Sequence, residues 1–208
     1  MATINIRREF SGYYTAAPNP EIVEFGQMNY LSIVGDGSPG TGIFYRKKKA
    51  IADFVIQLQN QLKGTVKAFH SDVIEIFYWF DDKEGFVDIG EFYTTVDLQL
   101  LHYRMAILIP EFVTEDDIKI TAENATGIAF AGDFERFTYT SGRCVQLVHK
   151  GALAGELETL PVLQNFATKS GLVKSGMHHE IHLVPFEKGQ DQQHLKTILR
   201  DPVKATQD

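Results

Sequence analysis

The chain has 208 residues, with 20 Lys plus Arg against 27 Asp plus Glu for a formal charge of −7; 44% of residues are hydrophobic and 12% aromatic. That length suits one large domain or two small halves sharing a core, since domains run roughly 100–200 residues, and the composition excludes wholesale disorder. The acidic balance argues against a phosphate-backbone partner, and the single cysteine, Cys144, excludes an intrachain disulfide and a cysteine-based zinc site.

The longest aliphatic run, Met105–Ile109, is far short of the ~20 residues that span a bilayer. No apolar stretch follows Arg7 and Arg8 as a secretory leader would require. The expected location is the cytoplasm, with no membrane partner.

Residues 1–19 read as an irregular arm ending in Ala17-Pro18-Asn19-Pro20. Glu21–Val34 has a strand pattern, closed by the glycine-rich turn Gly35–Gly40. Apolar residues from Phe44 to Leu62 recur mostly at spacings of three and four, so Ile43–Lys63 reads as a helix stopped by Gly64. The basic run Arg46–Lys49 reads as a solvated helix face.

Asp72–Phe80 and Leu98–Ile109 read as strands, the second ended by Pro110, with a polar loop at Asp81–Glu91 between them. Thr114 is placed to cap a short acidic helix that connects two halves, 20–113 and 127–203. In the second half Arg143–His149 reads as a strand and Glu156–Ser170 as a helix with Pro161 near its start. His178–Phe186 and Lys196–Val203 follow as strands.

Two strand-helix-strand-strand units imply an α+β fold, pseudo-twofold in the manner of paired SH2-like units. Its antiparallel sheet would carry both helices on one face, with a ligand cleft on the other face or at the seam.

Met177-His178-His179-Glu180-Ile181-His182 is the most unusual local feature. On a strand, His178, Glu180 and His182 share one face, and Ile181 and Leu183 are expected to face the core under the helices. Three readings stay open: a metal site completed from elsewhere, a functional carboxylate, or a solvated polar face. In Glu75–Phe80 the alternation puts Glu75, Phe77 and Trp79 on one face, as core filler or as a stacking wall with a counter-charge for a flat cation. Tyr103 reads as a core phenol or a ligand donor, with His102 and Arg104 on the opposite face. Cys144, in an apolar alternation, reads as structural.

Several segments together resemble the GyrI-like small-molecule-binding family in its stand-alone form. They are Phe134-Glu135-Arg136-Phe137, Gly142–Gly151, His178–Leu183, Leu195–Val203, Glu75–Trp79 and Ile109–Thr114, in order over roughly residues 20–203. The sequence departs from the family at His149-Lys150-Gly151-Ala152-Leu153 and at His182, where tyrosines are common.

The resemblance implies a duplicated fold with a central cleft for a small hydrophobic or cationic aromatic molecule. It implies a cleft glutamate at Glu180, with Trp79 and Tyr103 as aromatic cleft positions and Glu75, Phe77 and His178 as further ligand-binding candidates. Some stand-alone members hydrolyse cyclopropane-bearing DNA alkylators. That chemistry would use Glu180 as general base, assisted by Tyr103 or His182, with its pKa raised by burial. The alternatives are a non-catalytic module that sequesters or senses drugs and a protein-interaction role of the gyrase-inhibitor type. No cofactor or resident metal is expected, no nucleic acid is contacted directly, and the chain is expected to be a monomer or weak homodimer.

Overall fold

A computed structural model describes residues 3–206. In chain order the elements are β1 (Ile4–Asn5), α1 (Ile6–Glu9), β2 (Glu21–Asp36), α2 (Gly42–Leu62), β3 (Phe69–His70), β4 (Ile74–Trp79) and β5 (His102–Leu108). They continue with α3 (Glu115–Asn124), β6 (Glu135–Lys150), α4 (Glu156–Lys169), β7 (Leu172–Lys174), β8 (His178–His182) and β9 (Lys196–Ala205). Short 3-10 turns fill several connections, one of them at Leu98–Leu100 where a strand was expected to begin.

Seven strands join in the order β6-β2-β5-β4-β8-β9-β7, every pair antiparallel, and β6 also pairs with β9. Six of them therefore close into a hydrogen-bonded ring. The pairing is pseudo-twofold: the first half contributes β2-β5-β4 and the second β6-β9-β8, and each outer strand pairs with its counterpart. At the β4–β8 seam Ile76 lies opposite Glu180 and Tyr78 opposite His178. The fold is α+β, as the strand and helix order implied.

Sequence chemistry fixes the helices. Thr41 caps α2 by accepting a hydrogen bond from the Phe44 amide, and Gly64 follows the helix with φ +79°, a conformation that glycine adopts without strain. Phe44, Ile51, Phe54 and Leu58 bury one face of α2. Thr114 and Asp117 form a reciprocal capping box at α3. A 3-10 turn at Leu153–Gly155 leads into α4, which runs through Pro161 on its exposed side.

β6 begins at Glu135, eight residues before the expected strand. Gly142 sits inside it with φ +62° and pairs with Phe25, so the strand runs on through this glycine.

The helices lie outside the ring. Inside it, the N-terminal arm inserts Tyr13 and Tyr14, both buried. This corrects the reading of the arm as irregular: it carries β1 and α1 and supplies core side chains.

Candidate functional site

β8 is buried on both faces, so alternation alone does not reveal which face meets the helices. Register decides it: Glu180 shares its face with Ile76 and Met105, the face covered by α2. The expectation that Ile181 and Leu183 lie under the helices is therefore corrected for β8. His178, Glu180 and His182 point to the helix side, and Ile181 points into the ring.

Glu180 lies at the base of a cleft of about 320 Å³ at the seam between the halves. The N-terminal ends of α2 and α4 form its two sides, through Phe44 and Tyr45 on one and Glu156 and Leu157 on the other. Tyr78, Tyr93 and Phe186 complete an aromatic lining.

Four side chains hold Glu180. The hydroxyl of Tyr93 donates to Oε1. Nε2 of His182 lies 3.0 Å from Oε2. Nε2 of His178 lies 3.8 Å from Oε1, while its Nδ1 is 2.9 Å from Oδ2 of the fully buried Asp201. The fourth is Glu156, whose carboxyl meets that of Glu180.

The electrostatics separate the two carboxyls. Glu156 is pushed well above the usual carboxylate range, first by burial and then by the charge of Glu180. Burial also acts against Glu180, but the hydrogen bond and charge of His182, with His178 and Tyr93, outweigh it and lower its pKa to about 2. The expectation of a raised Glu180 is corrected: the raised carboxyl is its neighbour. The Tyr93 phenol is raised by burial and by Glu180, so it stays a donor.

Lys48 belongs to the basic run expected to be solvated, yet it is buried. Its ammonium donates to the Phe186 carbonyl and lies 3.7 Å from the centre of the Phe186 ring. It thereby fastens the β8–β9 loop that carries Phe186 over the cleft. Burial lowers its pKa to about 8.

Of the residues singled out from sequence, Glu180, His178 and His182 come together here. Trp79 does not. It stacks on His102 at 5.6 Å and lines a separate groove on the other sheet face. Tyr103 is on the Glu180 face but two strands away, packed against Phe44 and Gly35, with its hydroxyl unpartnered.

Glu75 and Phe77 face the ring interior. The Glu75 carboxylate accepts from Tyr13 at 2.7 Å and Tyr14 at 2.9 Å, and lies 2.9 Å from Nε2 of His179. Burial lowers the His179 pKa, so that ring is a neutral donor, and it stacks on Phe77 at 3.9 Å. Glu75 is thus the centre of an internal polar network and not a cleft residue. Among the described residues no cluster of His, Cys, Asp and Glu is arranged to hold a metal ion.

Sequence reasoning missed Glu156, Tyr93 and Tyr78 as cleft residues. Glu156 stood out only as a helix start, and Tyr93 follows an acidic loop without periodicity. Tyr78 was visible as the alternate face of the aromatic strand.

No known protein family matches the sequence, and no curated protein does either. Solved structures do match in fold. An uncharacterised conserved protein from Listeria innocua superposes with TM-score 0.79 at 22% identity, covering 97% of this chain and 100% of its own. A hydrolase encoded by lin2189 from Listeria innocua gives 0.80 at 21% identity, covering 98% of this chain and 100% of its own. The EcmrR C-terminal domain gives 0.59 at 11% identity, covering 90% and 98% respectively. The chain shares the fold of these proteins over nearly its whole length.

Proposed function

We propose that the chain is a small-molecule-binding protein whose seam cleft takes flat apolar or cationic compounds. One observation carries the reading: Glu180, a carboxyl whose neighbours favour its ionised form, lies at the base of an aromatic-lined cleft wide enough for a small ring system. Aromatic faces stack on a flat ligand and attract positive charge, and the carboxylate supplies the counter-charge in a site with little water.

The test is a titration with proflavine, a planar cation. Glu180→Gln should weaken binding about tenfold or more, the scale of one charge-assisted contact. Equal affinity in the two proteins would remove the cleft from the argument.

A second reading has its own support in the Glu156–Glu180 pair. One carboxyl that keeps its proton beside one that does not is an acid–base arrangement. With a conjugated cyclopropane as substrate, water would bond to the ring carbon and pass a proton to Glu180. The breaking carbon–carbon bond would send its electron pair into the conjugated carbonyl, whose oxygen would take a proton from Glu156 or a hydrogen bond from Tyr93. The chain's fold, shared with a protein named as a hydrolase, is in keeping with this chemistry.

A product heavier by one water, formed by the wild type and not by Glu180→Gln or Glu156→Gln, is the expected result. Recovery of unchanged compound from a bound complex leaves the sequestering function as the answer.

A further inference from the structure

Consecutive residues Phe92 and Tyr93 line different concavities. Tyr93 faces the Glu180 cleft, and Phe92 lines a groove of about 560 Å³ beyond it. Trp79, Phe80 and Phe86 form the apolar part of that groove, and Lys174 and Lys204 supply its cations. Phe86 is 66% exposed, a large ring presented to solvent.

Lys174 is the unusual member. It sits at the end of β7 and is only 8% exposed. Its ammonium lies 4.7 Å from the centre of the Phe92 ring. Among the described residues it has no ion-pair partner and no hydrogen-bond acceptor, and Lys204 has none either. Asp201 and Asp88 act on Lys174 from further away and offset part of the burial that lowers its pKa. Asp82, also on the groove wall, is exposed at the rim.

The Lys174 side chain is nearly buried, but its Nζ is not sealed from the groove, so its three donors are open there and one aromatic face leaves them free to meet an acceptor.

We propose that this groove is a second ligand site, for a small aromatic carboxylate. The carboxylate is seated on Lys174 with Lys204 beside it, and the ring lies along Trp79, Phe80 and Phe86. Its charge preference is the reverse of that proposed for the Glu180 cleft. The aromatic wall distinguishes such a ligand from an inorganic anion, which would leave Phe86 and Trp79 uncovered.

Trp79 is the chain's single tryptophan, so its fluorescence reports occupancy of the groove directly. Cinnamate is the probe, with cinnamyl alcohol, cinnamylammonium and inorganic phosphate as comparisons. Cinnamate should give a saturable change; the alcohol, the ammonium compound and phosphate should each bind at least about tenfold more weakly.

Lys174→Met keeps the side-chain length and removes a charge that no acceptor in the protein compensates, so it should weaken cinnamate about tenfold at a melting temperature equal to or above the wild type's. Should Lys174→Met fail to fold, the exposed Lys204→Gln is the deciding variant, with a loss of about threefold, in the range of a more solvated contact. A response to the alcohol equal to that for cinnamate overturns the proposal. So does the absence of a saturable change, or full cinnamate affinity in the folded variant.

Discussion

The carboxyl groups of Glu156 and Glu180 share one cleft and are pushed in opposite directions: burial and the charge of Glu180 raise Glu156, while His182, His178 and Tyr93 lower Glu180. Like charges held that close in a low-dielectric site do not both ionise. The histidines decide which one does, because His182 and His178 face Glu180.

That division has a sign in the pH dependence of stability. Glu156, raised in the folded state, contributes stability that is complete below its unfolded value of about 4.3 and is lost as pH rises towards its folded value. Glu180, lowered to about 2, contributes stability that is present above that same unfolded value and fades as pH falls towards 2. Glu156→Gln removes the first effect alone. Melting temperatures across pH 3–9 should show the variant gaining on the wild type as pH rises above about 4.3, by about 1.4 kcal/mol per unit until the folded value is passed. Parallel curves would mean that Glu156 titrates normally.

The network around Glu75 predicts a stability role for an arm that looks dispensable in sequence. Tyr13→Phe or Tyr14→Phe removes one of the two phenol donors to a fully buried carboxylate. Each should cost about 1–3 kcal/mol in urea unfolding. The double variant leaves His179 as the remaining donor among the described residues and should cost more than either single change.

Gly35 lies opposite Tyr103 on the neighbouring strand, and a methyl group there would overlap the phenol ring. Gly35→Ala should therefore destabilise by about 1–3 kcal/mol. It should also disturb ligand binding, because the displaced ring packs on Phe44 of the cleft wall. Gly64→Ala, where open space surrounds the position but φ is +79°, is the contrasting case: a backbone cost at a position away from the cleft lining.

Cys144 is fully buried, and burial pushes its thiol up to about 12. The folded protein should resist a thiol-specific disulfide reagent at pH 8 and react with one equivalent once unfolded in guanidinium. Fast labelling of the folded chain would show that β6 opens locally.

The helices and most strands were legible because local chemistry marks them: Thr41 and Gly64 bound α2, and Thr114 with Asp117 opens α3. The face of β8 was not legible. Alternation needs one wet face, and all five residues of this strand are buried, with His179 on the inner face stacked on Phe77 and paired to Glu75. The same closure misled the pairing of Glu180 with Trp79. They lie on adjacent strands, but Trp79 is three residues from Ile76, the partner of Glu180, and an odd offset puts the two on opposite sides of the sheet. Glu180 itself was readable from the His-His-Glu motif. Glu156 and Tyr93 reach it from a helix start and a loop, where no periodicity announces a role.

The double pairing of β6, with β2 along one stretch and β9 along another, ties the opening third of the chain to its final strand. Such contacts are far apart in sequence, so the ring can close only after long loops have been ordered, which favours slow folding. Once shut, it leaves little unpaired strand edge for another chain to template on. Loss of β9 would reopen β6 and β8 together, and the shortened chain should aggregate during synthesis rather than persist as a weaker binder.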